Sequence, residues 1–180
     1  MVAALRPQAA RYMSVRTLHD PYRALIQRFN KHGVRYVVVG MAGINYYADT
    51  SAQAFTTMDY DVFINPTLSN VGKAIACLKR LGFTVGTTDG LLKAKDQRTI
   101  VRYRKTLVAT TPDGLMVELL LGVSGYTFSD MVRNAAIFRV RGVPVKVARL
   151  TKLLRSKQVA GRAKDRQFLQ RYQFLLEEES

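Results

Sequence analysis

Two aspartates separated by one residue, Asp59 and Asp61, lie in a stretch of β-branched and aromatic residues that is typical of a strand. Side chains alternate between the two faces of a strand, so both carboxylates point to the same side of the predicted strand 58–65. Two carboxylates on a rigid backbone are suited to hold a hard cation such as Mg²⁺ or Mn²⁺. A strand with a solvated acidic face has the same pattern, so the interpretation depends on the neighbouring residues.

Three further charged residues occupy positions where apolar side chains are expected. Glu118 lies inside the apolar run 115–121, and a carboxylate buried in a strand is costly unless a cation or a proton compensates it. The alternative is that Glu118 lies at a partly exposed strand end. In the two C-terminal helices, the apolar stripe of the first reaches Lys157 and that of the second reaches Asp165. These two residues either form a buried structural pair or take part in a reaction.

A glycine-rich turn, 40–43 (GMAG), follows the β-branched strand 34–39. Such a turn at the start of a helix can present backbone N–H groups to a phosphate. Three acids from two strands beside this turn predict a two-metal phosphoryl-transfer site.

The elements that must position these residues predict a single α+β domain with a mixed β-sheet flanked by helices. The first helix is expected to begin with Asp20 as its N-cap and Pro21 as its first residue. Residues 1–19 form a basic segment, 20–148 the core, and 149–180 a helical extension packed on that core. Strands are expected at 34–39, 58–65, 83–85, 99–108, 115–121, 137–140 and 143–147, and helices at 20–31, 44–48, 67–81, 127–134, 150–160 and 163–178.

The order of these segments resembles the signature of the nucleotidyltransferase-fold superfamily. The segments that carry the resemblance are 37–41 (VVVGM), 57–62 (TMDYDV) and 117–120 (VELL). The later segments 150–157 (LTKLLRSK) and 161–165 (GRAKD) are similar to small bacterial nucleotidyltransferases related to abortive-infection and toxin–antitoxin toxins. The resemblance covers roughly residues 20–170.

This resemblance implies a minimal nucleotidyltransferase fold with a C-terminal helical extension, and a role for each matching residue. Asp59, Asp61 and Glu118 would hold the metal and act in catalysis with Lys157 and Asp165. The NTP would be held by Gly40, Met41, Thr57 and Lys157, and Asp165 would orient Lys157 or the acceptor. Met41 stands where the family usually has glycine or serine, and Glu118 where aspartate is commoner.

The charge of the chain indicates a polyanionic partner. It has 28 Lys and Arg residues against 13 acids, for a net charge of +15 and an isoelectric point of about 10.3. Such a field attracts nucleic acid and raises its encounter rate. A nucleic-acid-binding rim is predicted from Arg98, Arg102, Arg104, Arg155, Arg162 and Lys164, the first three of which would share one strand face. Taken singly, each residue is better explained as the ordinary charge of an edge strand or a solvated helix, and only the set as a whole favours polyanion binding.

Together these features predict a metal-dependent nucleotidyltransferase that transfers NMP from an NTP to an acceptor hydroxyl. RNA is the favoured acceptor, with a tRNA 3′ end first, and the toxin resemblance adds a cognate antitoxin as a partner. The alternatives are a protein or small-molecule acceptor, or a non-catalytic nucleic-acid-binding or antitoxin-like module with a degenerate site. Met41 and Glu118 keep the last alternative open.

Two further observations bear on location. Cys77 is the only cysteine, which excludes an internal disulfide framework and favours a reducing compartment. No apolar run approaches the roughly 20 residues that span a bilayer. We therefore predict a cytoplasmic protein without a membrane partner.

Overall fold

The computed structural model describes residues 21–48, 54, 57–166 and 168–170. The helices are α1 (Arg23–Lys31), α2 (Gly40–Asn45), α3 (Leu68–Arg80), α4 (Gln97–Arg102), α5 (Phe128–Val132) and α6 (Leu150–Ala160). The strands are β1 (Tyr36–Val38), β2 (Tyr60–Ile64), β3 (Thr84–Thr87), β4 (Gly90–Leu91), β5 (Leu107–Thr110), β6 (Met116–Leu120), β7 (Ala136–Val140) and β8 (Val143–Val147).

All eight strands form one mixed sheet in the order β4-β3-β5-β6-β2-β1-β8-β7. The pairs β2–β6 and β1–β8 are parallel, and the other neighbours are antiparallel. Helices pack on the sheet, so the predicted α+β class with a mixed sheet is confirmed. No helix in the described part of the chain is long and apolar enough to cross a membrane.

The two faces of β2 pack against different helices. Tyr60, Val62 and Ile64 belong to the core that includes buried residues of α1 and α3. Phe63 points the other way and belongs to a second core with residues of α5 and α6. Because side chains alternate along a strand, Asp61 lies on the α5–α6 face of the sheet, with α1 and α3 on the opposite face.

The predicted strand 99–108 is wrong over its first half, where the chain forms helix α4. The β-branched run 99–101 favoured a strand, but only Ile100 of this helix is buried. Asp96 starts the helical segment by accepting a hydrogen bond from the backbone N–H of Lys93 (3.0 Å). Arg104, with φ of +52°, reverses the chain after the helix, and β5 begins at Leu107. Packing against α3 therefore overrides the local β propensity.

Several predicted boundaries also move. The helix predicted at 44–48 begins earlier, at Gly40, so the glycine-rich turn is its first turn. Helix α1 begins at Arg23, after Pro21, and Asp20 lies outside the described residues. Strand β4 was not predicted. Of the predicted helix 163–178, residues 163–166 and 168–170 are helical, and the rest, like segment 1–19, lies outside the described residues.

Candidate metal centre and the surrounding cavity

Three carboxylates converge on the α5–α6 face of the sheet. Strands β2 and β6 are parallel and place Asp61 directly beside Glu118. Asp59 lies just before β2, and one oxygen from each of the three residues lies within 4.8 Å of the others. The structure thus brings together the acids that the sequence singled out. An all-oxygen donor set of this kind suits a hard divalent cation, and the trio could hold a metal ion.

Gly40 is required by the close approach of Asp61. A Cβ at residue 40 would lie 2.8 Å from Cγ and 2.9 Å from Cβ of Asp61, and nearer still to its Oδ2. The φ angle of Gly40 is +62°, a conformation that other residues adopt only with strain. The carboxylate of Asp61 therefore rests against the backbone that begins α2.

The electrostatics of the trio favour a bound cation or proton. The pKa of Asp61 is raised to about 7 by burial and by the charges of Asp59 and Glu118, against a smaller opposing effect of Lys157 and Arg162. The pKa of Glu118 is raised by burial and by Asp59, although a hydrogen bond with Asp61 opposes the shift. Crowded acids in a partly desolvated site ionise together only at a cost in free energy, which a cation would relieve.

Thr57 positions Asp59. Its hydroxyl donates to the Oδ1 atom of Asp59 at 2.6 Å and also lies 3.1 Å from the backbone oxygen of the same residue. This contact fixes the orientation of the Asp59 carboxylate, because Asp59 itself lies outside strand β2. The role in nucleotide binding that the resemblance implies for Thr57 stays a prediction.

Lys157 and Asp165 form the buried pair that the helical spacing allowed. The Nζ atom of Lys157 donates to Oδ1 of Asp165 at 3.0 Å, and Asp165 is only 2% exposed. Arg162 Nε donates to the other oxygen at 2.8 Å. Burial raises the pKa of Asp165, but the hydrogen bonds and charges of Lys157 and Arg162 outweigh it and lower the pKa overall. The ammonium group of Lys157 also lies 5.5 Å from the ring centre of Phe168.

The role of Arg162 in this pair was missed from sequence, where it was assigned only to the rim. The signal was present, because residues three apart on a helical turn are neighbours and Arg162 precedes Asp165 by that spacing. The neutral residues that line the cavity carry no comparable signal in the sequence.

The carboxylates and the cations face a common cavity of about 900 Å³. Every predicted metal, catalytic and nucleotide-binding residue lines it: Gly40, Met41, Thr57, Asp59, Asp61, Glu118, Lys157 and Asp165. The cavity also takes in residues that the sequence did not single out, among them Gly122, Ser124, Ser156 and Phe168. The cavity is therefore lined by both acidic and basic side chains.

The predicted basic rim is only partly assembled at this cavity. Arg162 and Lys164 line it. Arg104 lies next to it, because its Nη1 donates to the backbone oxygen of Leu121 (3.3 Å), the residue before Gly122. Arg98 and Arg102 lie on α4 rather than on a strand, and neither they nor the exposed Arg155 of α6 are among the described residues that line the cavity.

No family model and no curated protein matches the chain. Three carboxylates that suit a divalent cation, together with a lysine and an arginine that line the same cavity of nucleotide size, are groups that can bind and polarise a phosphate ester.

Proposed function

We propose that the protein is a metal-dependent nucleotidyltransferase that transfers NMP from an NTP to an acceptor hydroxyl, with a nucleotidyltransferase-type fold. The observation that carries the proposal is that Asp59, Asp61 and Glu118 converge in the same cavity that Lys157 and Arg162 line. Phosphoryl transfer depends mainly on positioning and on neutralising charge, and both kinds of group are present here.

Asp59, Asp61 and Glu118 are the residues that would hold the divalent cation. When bound, Mg²⁺ or Mn²⁺ would neutralise negative charge on the phosphate oxygens. Thr57 and Gly40 support this set, the first by its hydrogen bond to Asp59 and the second by leaving room for Asp61.

Lys157 and Arg162 are suited to hold the triphosphate. The lysine ammonium has three donors and the guanidinium has five, and each gives one to Asp165. The remaining donors are free to turn toward the phosphates while Asp165 keeps both side chains at the cavity wall. The buried Asp165 is thus a positioning residue, and its charge stays in place because the lowered pKa keeps it ionised.

The chemical step is an in-line displacement at the α-phosphorus. The acceptor hydroxyl gives its proton to a carboxylate, for which Glu118 is placed because it lies beside Asp61 and lines the cavity. The acceptor oxygen then bonds to the α-phosphorus, and the bond from this phosphorus to the bridging oxygen breaks. Pyrophosphate leaves, and the NMP remains on the acceptor.

RNA is the acceptor that the charge distribution favours. Lys164 lines the cavity, Arg104 lies beside it, and the whole chain carries a net charge of +15. Cationic groups around a catalytic opening concentrate phosphodiester chains. We propose a tRNA 3′ end as the acceptor and, with the toxin resemblance, a cognate antitoxin as the regulator.

The test is incubation with Mg²⁺, each of the four α-labelled NTPs in turn, and bulk tRNA. The parent protein is compared with Asp61→Asn and with Asp113→Asn, a control that removes an exposed carboxylate in the turn before β6 that does not line the cavity. Label in RNA for the parent and the control, but not for Asp61→Asn, supports the proposal. Label in protein would move the acceptor to a protein hydroxyl. Absence of label together with absence of Mg²⁺-dependent NTP binding would overturn it in favour of a binding module.

A further inference from the structure

A second basic site lies on the opposite face of the sheet, between α1 and α3. It is a groove of about 340 Å³ lined by Arg28 and His32 from the end of α1 and by Lys73, Cys77 and Arg80 from α3. The three α3 residues are spaced at i, i+4 and i+7, so they share one helix face. This volume falls within the range of about 300 to 1,000 Å³ that is usual for small-molecule sites.

Arg28 has an unused donor at this groove. Its Nε atom is buried and has no hydrogen-bond partner among the described residues. A buried donor without an acceptor costs free energy, about 1 to 3 kcal/mol for a neutral group and more for a charged one. Arg28, whose guanidinium group matches the oxygens of phosphate well, lines the groove together with Lys73 and Arg80.

The helices that form the groove contain no acid at all. Six of their 22 residues are Lys or Arg, and neither helix has an Asp or Glu. The four ion pairs found among the described residues involve none of these cations. Helix dipoles favour cations in the last turn of each helix, which accounts for Arg28 and Lys31 in α1 and for Lys79 and Arg80 in α3. They do not account for Lys73, which lies in the middle of α3.

We propose that this groove between α1 and α3 binds phosphate groups, separately from the carboxylate cavity. The phosphate could be that of a nucleic-acid backbone or free phosphate, since the same oxygens would meet Arg28, Lys73 and Arg80 in either case. The inference does not depend on the proposed enzymatic function, because none of the groove residues lines the carboxylate cavity.

The test uses two double variants that each remove two exposed positive charges. The groove variant is Lys73→Gln/Arg80→Gln. The control is Lys79→Gln/Lys95→Gln, in which Lys79 is exposed on the same helix but outside the groove. All proteins are kept in EDTA, and thermal denaturation first establishes that both variants fold.

The first arm measures binding of a fluorescently labelled single-stranded RNA of 20 nucleotides over a series of salt concentrations. If backbone phosphates occupy the groove, the groove variant binds about tenfold more weakly than the control. Its slope of log affinity against log salt falls by about 1.4, which corresponds to two lost contacts at about 0.7 each.

The second arm measures the unfolding midpoint in 10 mM inorganic phosphate against chloride of equal ionic strength. A site with a millimolar dissociation constant would raise the midpoint of the parent and the control by about 3 °C, but not that of the groove variant. A difference in either arm supports the proposal, and the arm that shows it identifies the source of the phosphate. Equal behaviour of the two double variants in both arms would overturn it, because the effect would then be that of net charge alone.

Discussion

Replacing Gly40 by alanine tests the close contact between residue 40 and the carboxyl group of Asp61. Gly33 provides a matched control, because it has the same φ of +62° but nothing within 4 Å of where its Cβ would lie. At residue 40 the added methyl group would meet the Asp61 carboxyl group, with the Cγ atom at 2.8 Å. The two substitutions therefore share the backbone strain and differ only in the clash with Asp61.

The expected costs follow from these two contributions. A left-handed conformation costs an L-residue about 1 to 2 kcal/mol, so Gly33→Ala is expected to lose about that much stability. Gly40→Ala adds the cost of forcing a packed group aside, typically about 1 to 3 kcal/mol. For a chain of this size an extra 2 kcal/mol corresponds to a fall in the unfolding midpoint of roughly 4 to 8 °C.

The assay is thermal and urea denaturation of the parent, Gly33→Ala and Gly40→Ala in EDTA, followed by the label-transfer experiment. Gly40→Ala should be the less stable variant and should lose transfer activity, because Asp61 is displaced from the other two carboxylates. Gly33→Ala should keep its activity. If the two variants have equal midpoints and both retain transfer, then Asp61 does not rest against Gly40 and the geometry of the trio is wrong.

Two further substitutions test the electrostatics of the cavity. Asp61→Asn in EDTA should be more stable than the parent, because a carboxyl whose folded pKa (about 7) exceeds its ordinary value (3.8) loses stability as the pH rises between them. The free energy of unfolding of Asp61→Asn should exceed that of the parent by about 2 kcal/mol at pH 5 and about 4 kcal/mol at pH 8, as measured by urea denaturation. A variant less stable than the parent at both pH values would refute the raised pKa of Asp61. Asp165→Ala should cost about 3 kcal/mol at pH 7, whereas Asp89→Ala, which breaks an exposed pair with Lys105, should cost less than about 1 kcal/mol. Because the folded pKa of Asp165 is lowered, its contribution is present above the ordinary pKa of 3.8 and is lost as the pH falls through the folded value, so the gap between parent and Asp165→Ala should narrow in acid. Urea denaturation at pH 7 and pH 3 measures the larger cost of Asp165→Ala and its decrease in acid. Equal losses of stability for Asp165→Ala and Asp89→Ala at pH 7 would contradict the buried pair.

The predictable part of the site depends on short-range periodicity. Strand alternation places Asp59 and Asp61 on one side, and helical spacing places Lys157 and Asp165 on the inward stripes of their helices. What could not be read from sequence is the register between strands, because the pairing of Asp61 with Glu118 depends on how β2 and β6 align. The reason for Gly40 was likewise hidden, since its neighbour Asp61 is distant along the chain and close only in the folded protein.

The wrong assignment at 99–108 has a related cause. The residues Thr99, Ile100 and Val101 are β-branched, and their local preference is for a strand. In the structure a single buried side chain, Ile100, anchors the segment as helix α4 against α3. The energy of tertiary packing exceeded a propensity difference that spans only about 1 kcal/mol. The rim residues Arg98 and Arg102 moved with this segment, which is why these two of the six predicted rim residues do not line the cavity.

The buried charges of the cavity are hard to explain as stabilising features. Apolar residues of similar volume in place of a buried ion pair are often neutral or stabilising, so the Lys157–Asp165 pair by itself says little about stability. The carboxylate trio is unfavourable without a counter-charge, as the raised pKa of Asp61 shows. Both groups line the same cavity. The carboxylate trio carries excess negative charge, and Asp165 with Lys157 and Arg162 carries excess positive charge. Departures of this kind are expected where function requires them, and a ligand that carries both phosphate and divalent metal would satisfy both at once.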